Sequence, residues 1–139
     1  MKISQEKANE LVDLALRARE KSYCPYSNFS VGAALLCEDG SIYTGCNVET
    51  AAFNGCCAER TAIFSAVADG KRRFAAISVA GAGSGRKPDS FCTPCGVCRQ
   101  VMREFCGSDF EIIMTDGRDI KAMTLDELLP MAFGPDNLA

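Results

Sequence analysis

The chain has 139 residues, a hydrophobic fraction of 47%, a charged fraction of 24% and a formal net charge of −3. That size suits one domain that can bury a core without disulfide staples, and the slight acidity gives no electrostatic case for a nucleic-acid or anionic-membrane partner. With no histidine at all, catalysis by Ser-His-Asp or Cys-His sets, HExxH metal sites and imidazole switches are excluded together.

Residues 4 to 21 read as a helix. Ser4 can cap it, and Ala8, Leu11, Val12, Ala15 and Leu16 form a stripe at i, i+3, i+4 spacing. Tyr23-Cys24-Pro25-Tyr26-Ser27-Asn28 is a loop, because proline and asparagine break regular structure. Phe29 to Cys37 and Ser41 to Val48 have strand character. The Asp39-Gly40 pair between them signals a hairpin. Cys57 to Asp69 returns to helical spacing, with Gly70 as a C-terminal stop. Phe74 to Ala80 is a short buried strand, and Gly81 to Ser90 is a flexible loop. Thr93 as N-cap and Pro94 as first helical residue predict a helix running to about Cys106. Glu111 to Thr115 and Ile120 to Met123 read as strands. Thr124 can cap a short helix, Leu125 to Leu129, ended by Pro130. The later strands alternate with helices and are expected to be parallel, which makes the fold an α/β sandwich opened by a β-hairpin.

Nine cysteines, an odd number, with an amphipathic N-terminal stretch rather than an apolar leader, speak against a secreted disulfide framework. No apolar run is long enough to span a membrane. The expected compartment is the reducing cytosol, where clustered cysteines more often mean metal or catalysis. Cys95 and Cys98 are spaced i, i+3 at the first turn of a helix, where backbone N–H groups and the helix dipole favour thiolates. Cys57 starts another helix. Three thiolates brought together by two helix N-termini can hold one zinc ion and leave the fourth tetrahedral position to water. Glu59 follows two residues after Cys57, near such a metal without ligating it, in the place for a group that carries protons. Zinc can lower the pKa of a bound water from about 15.7 to about 7, roughly 12 kcal/mol of proton affinity. A positioned acid–base group adds about 3–5 kcal/mol. Three thiolates donate more charge than three imidazoles. Arg60, next to Glu59, is therefore expected to hydrogen-bond the thiolates and restore Lewis acidity.

Cys57-Ala58-Glu59 followed by Pro94-Cys95-Gly96-Val97-Cys98 matches the signature of the zinc deaminases, H/C-x-E then P-C-x-x-C. With "YSNFSVGAALL", "CNVE", "CAERTAIFSAV" and "PCGVCRQVM" around it, the chain from residue 1 to about 134 resembles the small, three-cysteine, homotetrameric cytidine deaminases. The resemblance implies a three-layer α/β/α sandwich around a mixed five-stranded sheet, as a single cytidine-deaminase-like domain over residues 1–139. It implies one zinc ion per subunit held by Cys57, Cys95 and Cys98, with Glu59 moving protons from water to the pyrimidine N3 and the departing amine. Cytidine or deoxycytidine would become uridine or deoxyuridine plus ammonia, a step of pyrimidine salvage. It further implies that Asn47 and Glu49, flanking Val48, bind the ribose, that Phe29 packs on the base, and that the Ala58 N–H contacts it. Phe133 would come from a neighbouring subunit. A carboxylate suits a ribose hydroxyl better than a phosphate, so Glu49 favours a nucleoside over a nucleotide.

After Asn-Val-Glu the family pattern leads to expect Asn-Ala-Ser-Tyr or similar, whereas this chain has Thr50-Ala51-Ala52-Phe53, and the stretch to Cys57 is shorter. Cys56 beside Cys57 adds a second candidate ligand, but only Cys57 sets the Cys-x-Glu spacing. Other readings of the same residues are a deaminase of another aminated nucleoside, a zinc-stabilised interaction module with Glu59 as fourth ligand, and a Cys-x-x-Cys thiol oxidoreductase.

Overall fold

A computed structural model describes residues 1–139. Its elements are α1 (Gln5–Ala18, continued by a 3-10 turn over Arg19–Lys21), β1 (Phe29–Cys37), β2 (Ile42–Cys46), α2 (Ala58–Ala68), β3 (Phe74–Gly83), α3 (Gly96–Phe105), β4 (Glu111–Thr115), β5 (Ile120–Thr124) and α4 (Leu125–Leu128). A last 3-10 turn, Pro135–Asn137, has no counterpart in the sequence reading. None of the helices is long and apolar enough to cross a membrane.

The five strands form one mixed sheet in the order β2-β1-β3-β4-β5. Strand alternation sends odd and even residues to opposite faces, and the two faces are covered by different helices. Ala34 and Leu36 of β1, Ala76 of β3 and Ile113 of β4 pack under Ala8, Leu11 and Val12 of α1. Ala33, Leu35, Ile77, Val79, Ile112 and Met114 face the other way, against Ala62, Ile63 and Ala66 of α2, Cys98 and Met102 of α3, and Leu125 of α4. This is the expected three-layer sandwich, and burial on both faces is why the central strands read as near-continuous apolar runs. The hydroxyl of the fully buried Ser78, on the α1 side, is satisfied by donating to the Leu11 carbonyl at 2.6 Å.

Parallel pairing is narrower than expected. Only β3 and β4 pair in parallel, joined by the α3 crossover; α2 returns the chain from β2 to β3 in the same way, but β1 lies between those two strands. β5 follows β4 through the tight Asp116–Asp119 turn and is antiparallel. β1 pairs antiparallel with both β2 and β3.

Two of the boundaries that move lie beside the site. β3 does not stop at Ala80: Gly81, Ala82 and Gly83 continue it, opposite Val31, Ser30 and Phe29 of β1. A Cβ at Gly81 would sit 2.8 Å from Cys92 Sγ and 3.0 Å from the Phe29 ring, so a residue type that suggests a loop here serves a close approach within a strand. α3 starts later than predicted. Its N-cap is Cys95, not Thr93, with extended φ −68° and ψ 167°. α2 begins in the same way on Cys57. Its first turn lies hard against β2, where a Cβ at Gly45 would be 2.5 Å from both the Ala58 carbonyl oxygen and the Ala62 nitrogen.

Candidate metal centre and active site

Cys57 and Cys95 are thus the N-caps of two different helices, and Cys98 is the third helical residue of the second. A residue at that position leans back toward the cap. The three sulfur atoms all lie within 4.8 Å of one another, and Cys57 and Cys95 Sγ are 3.8 Å apart. A tetrahedral zinc with Zn–S bonds of about 2.3 Å needs sulfurs about 3.8 Å apart, so the donor set fits the ion. None of the nine cysteines is in a disulfide.

The electrostatics of the trio also point to a cation. Hydrogen bonding from Cys98 and then from Arg60 lowers the Cys57 thiol to about 5, against the opposing effect of burial. The proton Cys98 gives to Cys57, together with burial and the Glu59 charge, raises Cys98 far above the ordinary thiol range. One thiolate is readily held and a second is resisted. A divalent ion would relieve that repulsion and hold all three as thiolates. Arg60 Nη2 donates to Cys57 Sγ at 3.1 Å, as expected for a group that offsets the sulfur charge. Its Nε is buried and has no hydrogen-bond partner.

Glu59 is only 4% exposed. Burial foremost, with the Cys57 charge, pushes its carboxyl up to about 7, so it can both hold and release a proton near neutral pH. Ala58 is fully buried between Glu59 and Cys57. As the first residue of α2 its N–H has no intrahelical acceptor, which leaves it free to donate to a bound molecule.

A second cluster lies beside the first. A cavity of about 420 Å³ is lined by Tyr26, Ser27, Asn47, Glu49 and Phe53, among others, and by Cys56, the neighbour of Cys57. Val48 lines it too and bridges Cys56 through paired backbone hydrogen bonds. Asn47 is anchored at both ends of its amide: Oδ1 accepts from Val31 N–H at 2.8 Å, and Nδ2 donates to the Phe29 carbonyl at 2.8 Å. The Phe29 ring stands at the Gly81–Cys92 contact. Phe133 does not line this cavity of its own chain. It is 57% exposed, and its carbonyl accepts from Gln100 Nε2 on α3.

Tyr26 and Ser27, which read only as loop residues in the sequence, form one side of the cavity, and Gln100, which carries no sequence signal, holds the tail through the Phe133 carbonyl. No spacing signal links Ser27 to Glu49, or Gln100 to Phe133, because the partners meet only across the fold.

A model of the cytidine and deoxycytidylate deaminase zinc-binding region matches residues 5–114. The chain is 46% identical over 132 residues to a cytidine deaminase of Sporosarcina psychrophila, covering 94% of this chain and 93% of that one. Among solved structures it is similar to a cytidine deaminase from Burkholderia pseudomallei, with a TM-score of 0.82 and 45% identity over 94% of this chain and 100% of the other. It is also similar to one from Mycobacterium tuberculosis, with a TM-score of 0.78 and 38% identity over 91% and 96%. With a matching family model over most of its length and relatives well above 30% identity, the chain belongs to the cytidine and deoxycytidylate deaminase family.

Proposed function

We propose that this chain is a zinc-dependent cytidine deaminase that converts cytidine and deoxycytidine to uridine and deoxyuridine with release of ammonia. The observation that carries the reading is the packing of three cysteine sulfurs within 4.8 Å of one another beside one buried carboxylate. Cys57, Cys95 and Cys98 hold the zinc, which when bound supplies the Lewis acid that makes a water nucleophilic at neutral pH.

Glu59 does the proton work. It takes a proton from the attacking water and passes it to N3 as oxygen adds at C4, which keeps charge from building on a ring that is losing its aromaticity. It then takes the second water proton and delivers it to the amine. Breaking the C4–N bond releases ammonia, and C4 keeps the water oxygen as a carbonyl. The Ala58 N–H donates to the base, and Phe29 packs on its face. Asn47 and Glu49 bind the sugar, with Val48 between them lining the same cavity. Arg60 supports the metal through Cys57. Phe133 is exposed on one chain and serves the site of a neighbour, so the working assembly is a homotetramer of single-domain subunits with sites at the interfaces. Its place is the cytoplasm, in pyrimidine salvage.

The test is zinc content together with loss of cytidine absorbance by the purified protein. Glu59→Gln should keep about one zinc per chain and lose deamination by at least ~10²-fold. Loss of zinc from that variant would instead make Glu59 a ligand and overturn its role.

A further inference from the structure

Ser27 occupies a position that no part of the chemistry above uses. Its hydroxyl donates to Glu49 Oε2 and accepts from the Phe29 N–H at 3.1 Å. The Ser27 and Tyr26 N–H groups both donate to Glu49 Oε1, each at 3.1 Å. A carboxylate offers about four lone pairs. Three are taken here, two on Oε1 and one on Oε2, which leaves one Oε2 lone pair for a hydroxyl from outside the protein.

The backbones on either side are already tied. Tyr23 N–H donates to the Asn47 carbonyl at 3.0 Å, and Glu49 N–H donates to the Tyr23 carbonyl at 2.8 Å. The far end of the loop is held by Asn28 N–H on the Cys24 carbonyl and Ser84 N–H on the Asn28 carbonyl. The remaining freedom is the rotation of the Glu49 side chain, and the Ser27 hydroxyl is the one side-chain donor on it. The same contact is the largest cause that keeps the Glu49 carboxyl below its usual range.

We infer that Ser27 is a positioning residue for the sugar, its hydroxyl orienting Glu49 so that a single free lone pair on Oε2 faces a sugar hydroxyl. This rests on the reading of Glu49 as a sugar ligand. Asn47 adds the complement: each end of its amide is used once, so one N–H remains to donate to a hydroxyl that gives its own proton to Glu49. The recognised group is therefore a neutral hydroxyl. An ester phosphate at that place has no proton to give to the carboxylate and would meet its charge.

The readout is a selectivity ratio, kcat/KM for cytidine divided by kcat/KM for 2′,3′-dideoxycytidine, measured on the zinc-loaded enzyme. Loss of stability or zinc lowers both terms together and leaves the ratio in place. Ser27→Ala should lower the ratio about tenfold or more, as expected for a lost hydrogen bond to a charged group, through KM for cytidine, and Ser27→Thr should restore it. Glu49→Ala should lower it further, and adding Ser27→Ala to that variant should change it no more. A wild-type ratio in Ser27→Ala beside a collapsed ratio in Glu49→Ala would overturn the positioning role alone. A wild-type ratio in Glu49→Ala would overturn the sugar reading and this inference with it.

Discussion

Arg60 Nη2 lies 3.1 Å from the sulfur of Cys57, three residues back on the same helix. One residue therefore caps α2, offers a thiolate to the metal and accepts a charged hydrogen bond that draws density from that thiolate. Replacing Arg60 with alanine leaves the three sulfurs in place and strengthens donation from Cys57. The expected outcome is retained zinc, an unchanged KM for cytidine and a kcat lower by about 10- to 100-fold, the worth of a hydrogen bond to a charged group. Steady-state kinetics beside metal analysis checks it, and unchanged turnover would remove the role.

Zinc removal should loosen the protein without unfolding it. Both hydrophobic clusters are built on the sheet and its helices, and the ion ties only the starts of α2 and α3. A ligand that binds the folded state at a thousand times its Kd contributes about 4 kcal/mol. Chelation should lower Tm by roughly 10 °C while far-ultraviolet circular dichroism stays native, and added zinc should reverse the shift.

Gly45 sets where α2 starts. Alanine there would place its Cβ 2.5 Å from backbone atoms of Ala58 and Ala62, and a helix backbone cannot yield as a flexible side chain can. Gly45→Ala should cost about 1–3 kcal/mol, read as a lower urea midpoint. It should also weaken zinc binding in a competition titration, because the displaced turn carries Cys57 and Glu59.

Cys106 supplies a pH signature of stability away from the metal. Burial, and next the Glu38 charge, push its thiol up from 9.0 to about 12. In the unfolded chain it loses its proton near the lower value. Folded protein thus binds more protons between about pH 9 and 12, and stability falls as pH rises through that window. The limit is about 1.4 kcal/mol per pH unit for one group. Urea midpoints taken at pH 8, 9 and 10 should fall less steeply in Cys106→Ala than in the wild type. Equal slopes would mean that Cys106 titrates alike folded and unfolded.

Local periodicity carried most of the fold. The buried stripe of α1 and the capping of α4 by Thr124 follow from spacing alone, because such signals live within a few residues of chain. Errors fell where a distant partner outranks a local preference. Gly81 to Gly83 look like loop residues and are strand because β1 offers them a ladder of hydrogen bonds. Thr93-Pro94 look like a helix start, yet the cap is Cys95, whose sulfur belongs to the metal cluster.

The ligand trio and its carboxylate were legible from residues 57–59 and 94–98 because the chemistry demands particular side chains at particular offsets along a helix, and those offsets are written in one dimension. Tertiary structure alone decided that the two motifs meet, that Glu59 is shut away from water while Cys95 is not, and that Ser27 reaches Glu49. These are contacts between segments separated by many residues. They exist because helices packed on one face of a sheet bring their N-termini together, which no count of residues between them can express.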